Sequence, residues 1–460
     1  MKKTVVINVV GLTKRLIGEH TPFIKSFVEK GSMSLIKPGL PAVTCSAQAT
    51  YLTGKSPYQH GIVGNGWYFK DECEVKFWRQ SNKLVQGEKL WEHLKKEDEK
   101  FTCANMFWWY NMYSTADFSV TPRPNYLADG RKIPDVYSYP STLRNLLQET
   151  LGTFPLFQFW GPKTSIKSSK WIADASIKTD ELYDPTLTLI YLPHLDYNLQ
   201  RYGLNFTKIS KDLNEIDTVV KDLVTHYEQK DCAVVLLSEY GITNVNNPVH
   251  LNRALRKKGY LAIREERGLE LLDAGASKAF AVADHQIAHV YLNDKSILED
   301  VQQLLMGLKG VEKVISGAAL KDYQLNHERS GDLVVVADKN SWFTYYFWED
   351  DRKAPDFARM VDIHKKPGYD PVEMFTDPKD RLVMIKVLWK LLIKKLGFRT
   401  VMDVIPLKAK LVKGSHGRIP EEEADYPVLI TNNSKYPDKN QIKDTDVFVI
   451  LKNLIKQQRL

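Results

Sequence analysis

Residues 4–10 (Thr-Val-Val-Ile-Asn-Val-Val) are β-branched and almost continuously apolar, the pattern of a parallel strand covered on both faces. Gly11 ends the run. The same pattern predicts buried strands at 186–192 and 233–237, with a shorter one at 32–37. Between them, residues 207–229 repeat apolar side chains at helical spacing, with Ile209, Leu213, Ile216, Val220 and Leu223 on one face. Further helices are expected at 20–30, 46–53 and 88–98. Strands that alternate with helices predict an α/β fold with a doubly wound, mostly parallel central sheet flanked by helices. Acidic residues follow two of the strands, Asp196 after the first and Glu239 after the second. Open α/β sheets bind ligands at such strand ends.

The pattern changes between 250 and 345. Ile287–Leu292 and Leu333–Val336 read as strands with a helix at 296–308 between them. This predicts an α+β subdomain (250–345) inserted into an α/β core made of 1–249 and 346–460. The final part of the chain has an aromatic strand, Trp342–Trp348, and a helix at 379–396. The chain from 430 onward is polar and then closes in an amphipathic helix. The stretch 100–170 is aromatic-dense and irregular, and fits a pocket wall as well as an apolar layer under a long loop.

Composition adds limits rather than a function. The 460 residues are 43% hydrophobic and 26% charged, ordinary for a globular protein. The formal charge of +8 favours an anionic small-molecule substrate by steering, but no long basic tract marks a nucleic-acid partner. The four cysteines form no Cys-x-x-Cys pair, so no zinc knuckle or redox motif is expected. The first apolar run is too short for a signal segment, and no stretch of 18 apolar residues exists. A cytoplasmic protein without a membrane span is therefore expected. Oligomeric state is open.

The chemistry concentrates in Pro41-Ala42-Val43-Thr44 and in Thr53-Gly54, Ser56-Pro57 and His60-Gly61-Ile62-Val63-Gly64-Asn65. A threonine hydroxyl is a weak nucleophile unless a base or a metal lowers its pKa. This spacing resembles the signature of the type I phosphodiesterase and nucleotide pyrophosphatase family, a branch of the alkaline phosphatase superfamily. The resemblance implies Thr44 as the attacking group and Asn65 as the amide that holds a phosphoryl oxygen. It implies Asp196, Glu239 and His416 (in Gly414-Ser415-His416-Gly417) as metal ligands. The cofactor it implies is a divalent metal, zinc first, as one or two ions. The activity it implies is metal-dependent hydrolysis of a phosphomonoester, phosphodiester or pyrophosphate, with a small phosphate-containing substrate.

Four positions depart from the family pattern. Val10 stands where the first strand should end in Asp, with Asn8 on the same face as a substitute oxygen donor. Gln200 and Tyr240 stand where histidines are expected, and Glu239 where an aspartate is. Two close dications need anionic ligands, so the set favours one ion or the recruitment of others. Asp362 and His364 alternate as strand neighbours do and are the leading replacement ligands. His194, Asp284, His285 and His289 are weaker candidates, better read as structural. The alternative to a hydrolase is a catalytically degenerate binding or scaffold protein that keeps the fold.

Overall fold

Apolar, β-branched segments do form the centre of the molecule. In the computed structural model, which describes residues 1–128, 131–398 and 400–457, Thr4–Val9 is buried at all six positions. It pairs in parallel with Leu187–Leu192 on one side and Ala233–Leu237 on the other. Nine strands make one sheet. From edge to edge they are Gln441–Lys443, Ser32–Lys37, Val428–Thr431, Ala233–Leu237, Thr4–Val9, Leu187–Leu192, Cys103–Met106, Phe118–Pro122 and Val136–Tyr139. Val428–Thr431 runs antiparallel to both neighbours, and Val136–Tyr139 is antiparallel to Phe118–Pro122. The remaining pairs are parallel. Helices Ile166–Tyr183 and Phe206–Gln229 bury their apolar stripes in the core of this sheet.

Three departures from the sequence reading have plain causes. The irregular 100–170 stretch supplies three strands of the sheet and the helix Ser141–Leu151; its strands are short and of mixed polarity, so no period shows. The polar region after 430 contributes an edge strand, Gln441–Lys443, where only Ile442 is buried. Of the aromatic run only Trp342 and Phe343 are in a strand, Ser341–Phe343, paired with Asn247–Val249. Residues 344–348 are buried side chains on irregular backbone.

A second, antiparallel sheet lies within the 250–345 segment, in the order Ala279–Asp284, Ile287–Leu292, Leu333–Ala337, Val311–Ser316. Its apolar face packs with Ile62, Val63 and Trp67 from the front of the chain and with Tyr345, Phe347 and Val412 from the back. The two-residue turn 285–286 between its first two strands thereby brings His285 against His416, at the carboxyl edge of the large sheet.

Candidate active site

Thr44 is the first residue of the helix Thr44–Thr53, which ends at Gly54 in the left-handed conformation (φ 65°). The helix begins two residues earlier than the apolar pattern indicates because Thr44 itself takes helical geometry. The preceding Ala42 is pinned to the late loop: its N–H donates to the Gly417 carbonyl (2.9 Å), and its carbonyl accepts from His416 Nδ1 (2.8 Å). Since Nδ1 donates, His416 Nε2 is a bare lone pair, and it is buried without a partner.

The Thr44 hydroxyl lies 3.3 Å from the Tyr240 hydroxyl. Tyr240 donates to Asp196 Oδ1 (3.1 Å), while Gln200 Nε2 donates to Asp196 Oδ2 (2.8 Å) and contacts Tyr369 (2.9 Å). Asp196 and Gln200 sit one turn apart on the helix His194–Tyr202, which follows the strand Leu187–Leu192. Glu239 follows the strand Ala233–Leu237, and Thr44 also faces it. Its Oε1 accepts from Asn8 Nδ2 and Gln48 Nε2, whereas Oε2 and Asn8 Oδ1 are buried with no partner.

A third acid enters from the second sheet. Asp284 accepts from the backbone N–H of Asn65 (2.8 Å), from Asn65 Nδ2 (3.0 Å) and from His285 Nδ1 (2.8 Å). Asn65 Oδ1 in turn accepts the Cys45 N–H (3.0 Å), at the start of the Thr44 helix. The His285 and His416 rings lie 3.7 Å apart; His416 stacks on Tyr240 at 3.5 Å, and His285 on Tyr369 at 3.6 Å. The sequence alone reads Asp284 and His285 as structural and does not single out Tyr369. The only signal was an Asp-His dipeptide, and its partner Asn65 is 219 residues away.

Burial sets the electrostatics. Asp196 is pushed up to about 7 by desolvation, against the bonds from Gln200 and Tyr240. Desolvation likewise raises Glu239 to about 8 and Asp284 to about 6. The same burial holds His285 and His416 well below the usual imidazole range, so both are neutral. Thr44 is 3% exposed. Aromatic rings stand near the network: Trp109 is tilted against Trp78 (4.8 Å), its backbone N–H donates to Gln48 Oε1 (2.7 Å), and Trp78 and Trp160 both abut Tyr369. Trp109 and Trp160, from the aromatic-dense stretch, thus stand beside the site. A cavity of about 880 Å³ lies away from Thr44, with Arg201, Lys208, Asn244 and Lys413 among its lining residues.

The donor set decides what it can hold. Both oxygens of Asp196 face proton donors, Tyr240 and Gln200, so a second cation beside Asp196 and His416 does not fit. Asp196, Glu239 and His416 do not form a three-ligand cluster: among the described residues the one group with ligand atoms within 4.8 Å of one another is His194, Asp212 and Glu215, which ties the helices His194–Tyr202 and Phe206–Gln229 together. A single cation does fit beside Thr44, where Glu239 Oε2 and Asn8 Oδ1 are orphaned oxygens. Asp362 and His364 lie in a turn, not a strand; Asp362 bonds Glu373 through its N–H, and His364 is exposed beside the Phe77 carbonyl (3.4 Å). Neither joins the network around Thr44. His289 is fully used, with Nε2 donating to the Val63 carbonyl and Nδ1 accepting from Gly331. Arg201 and Arg418 are spent on structural partners, Met374 and Glu312.

A large, mostly parallel sheet, with a hydroxyl at a helix N-terminus and acids just past neighbouring strands, defines an alkaline-phosphatase-like α/β fold. The chain belongs to the type I phosphodiesterase / nucleotide pyrophosphatase family, whose model matches residues 4–370. It is 23% identical over 265 residues to the ectonucleotide pyrophosphatase/phosphodiesterase 2 of Saccharomyces cerevisiae, covering 53% of this chain. The chain spans about half (48%) of that relative's length. Among solved structures, the murine ectonucleotide pyrophosphatase / phosphodiesterase 5, as an inactive variant in complex with AMP, has the same fold (TM-score 0.60, 13% identity, 99% of this chain and 95% of that one). So does the phosphonoacetate hydrolase of Sinorhizobium meliloti in complex with phosphonoformate (TM-score 0.59, 12% identity, the same coverages).

Proposed function

We propose that the chain hydrolyses a phosphate ester or anhydride through a phosphorylated Thr44. The observation that carries this reading is the chain of hydroxyls from Thr44 through Tyr240 to the Asp196 carboxyl. An Asp196 poised near neutrality is matched to accept a proton at physiological pH. As Thr44 Oγ1 bonds to phosphorus, its proton passes to the Tyr240 oxygen while the Tyr240 proton moves to Asp196. The bond from phosphorus to the leaving oxygen breaks, and that oxygen takes a proton from water. A second water then attacks the phosphothreonine, losing a proton to solvent, and the Asp196 proton returns through Tyr240 to the Thr44 oxygen as the hydroxyl is freed. Asn65 and the Cys45 N–H lie at the same helix terminus, where an anion is favoured. The neutral Nε2 atoms of His285 and His416 are free to accept hydrogen bonds from water or a substrate hydroxyl, and cannot donate to phosphoryl oxygens.

Glu239 Oε2, Asn8 Oδ1 and the Thr44 hydroxyl would hold one divalent ion. Bound there, it would favour the Thr44 alkoxide and keep Glu239 ionised. The family and the two ligand-bound neighbours support a small phosphate or phosphonate substrate such as a nucleotide.

The test is Thr44→Ala with a panel of chromogenic phosphomonoesters, phosphodiesters and pyrophosphates. We expect kcat to fall on the order of 10³-fold or more. Unchanged turnover would remove Thr44 from the mechanism. A second reading, a binding protein that has kept the fold, is favoured by one observation. Gln200 and Tyr240 satisfy Asp196 internally, as a static structural network does. Elemental analysis of protein purified without chelators separates the two. About one equivalent of zinc or manganese, lost in Glu239→Gln, supports the enzyme, and no bound metal with no turnover supports the binding protein.

A further inference from the structure

The helix Val383–Lys395 has no buried residue, although nine of its 13 residues are apolar. Its exposure is one-sided. Val383, Val387, Lys390, Ile393 and Lys394 are half-buried and lie along one side. Lys390 there pairs with Asp403, and Lys386, at the edge of this side, with Asp380. Met384, Ile385, Leu388, Trp389, Leu391 and Leu392 point the other way and are each 45–62% exposed. Leu396 and Phe398 continue the apolar strip beyond the helix, each 66% exposed. Globular proteins scatter exposed apolar residues singly; a contiguous strip of eight marks a surface that is covered.

The charges around the strip say by what. Between residues 377 and 403 the chain carries seven basic residues and three acids, Asp377, Asp380 and Asp403, an excess of four positive charges. We propose that this helix lies flat in the surface of an anionic lipid bilayer, its apolar side among the acyl chains and its lysines at the phosphate level. Thirteen residues span about 20 Å, too short to cross the hydrocarbon, so the helix docks and does not insert across. Among the described residues no helix is long and apolar enough to cross a membrane. Trp389, on the outward side, has the amphipathic ring that favours the interface. A second copy of the chain fits less well, because a two-fold pairing of this face would bring two segments of the same net positive charge together.

Flotation of the full chain with vesicles tests this. Binding is expected to vesicles rich in phosphatidylserine, about 10-fold weaker to pure phosphatidylcholine, and reduced by salt. Leu388→Asp with Leu392→Asp should abolish flotation while leaving the melting temperature unchanged, since both positions are exposed. Trp389→Phe should remove a blue shift in tryptophan emission on vesicle addition. The proposal is overturned if the parent stays unbound with both vesicle types, or if the double Asp variant floats undiminished. It is also overturned if the strip instead mediates a concentration-dependent dimer that excludes vesicles.

Discussion

Tyr240 gives the site a proton donor where a metal ligand would offer a lone pair, and its neighbours are set accordingly. Asp196 has a hydrogen-bonded proton at each oxygen. Glu239 has amide donors at one oxygen only and no cationic side chain bonded to it. Desolvation therefore keeps its carboxyl protonated up to about 8, far above its usual 4.5. A folded pKa raised above the unfolded one means that the native state binds the extra proton between these values. Its contribution to stability is fully present below about pH 4.5 and is lost as pH rises through about 8. Chelator-treated protein should melt at progressively lower temperature between about pH 5 and pH 8. Glu239→Gln, which never ionises, should flatten that decline. A parent whose melting temperature is level across this range would contradict the burial of an uncompensated carboxyl.

At the scale of elements, the site depends on a close approach between the loop bearing His416 and the helix bearing Asp196. Gly414–Ser415 pairs with Thr243–Asn244, and a Cβ on Gly414 would stand 2.1 Å from the Leu199 carbonyl oxygen. Lys413 N–H bonds the Gln200 carbonyl in the same contact. Gly414→Ala should therefore destabilise the fold by about 1–3 kcal/mol and lower activity further than that loss explains. Gly18→Ala, where a Cβ meets nothing within 4 Å, is the control and should change stability by less than about 0.5 kcal/mol. Denaturant titration reads both. Equal stabilities would mean that the helix and loop are not tightly packed. The elements that the apolar pattern marked are those the β-branched runs build: Thr4–Val9, Leu187–Leu192 and Ala233–Leu237 each begin or end within one residue of the reading. Edge strands such as Val136–Tyr139 alternate exposure over four residues only, too short a record for a period to show.

For the molecule as a whole, fold and family were legible from the Thr44 motif and the strand pattern, and the carboxyl edge was marked by Asp196 and Glu239. What the residues do to one another was not. Asp284 ends one strand of the second sheet and His285 opens the turn to the next, and nothing local in the sequence brings them to Asn65. The replacement ligands sought at Asp362 and His364 are instead filled in function by hydrogen-bond donors, Gln48, Gln200 and Tyr240, which hold the acids from other elements. A nearby buried charge network, Lys366 with Asp370 and Glu373, flanks Tyr369 on the segment that reaches the site. The two sheets thus meet around one threonine. The most direct measurement is mass spectrometry of the peptide containing Thr44, from protein acid-quenched during turnover of a reactive phosphodiester. Our account predicts a phosphoryl group on Thr44 that disappears when substrate is exhausted. Steady turnover with Thr44 unmodified, or with the phosphoryl group on another residue, would contradict it.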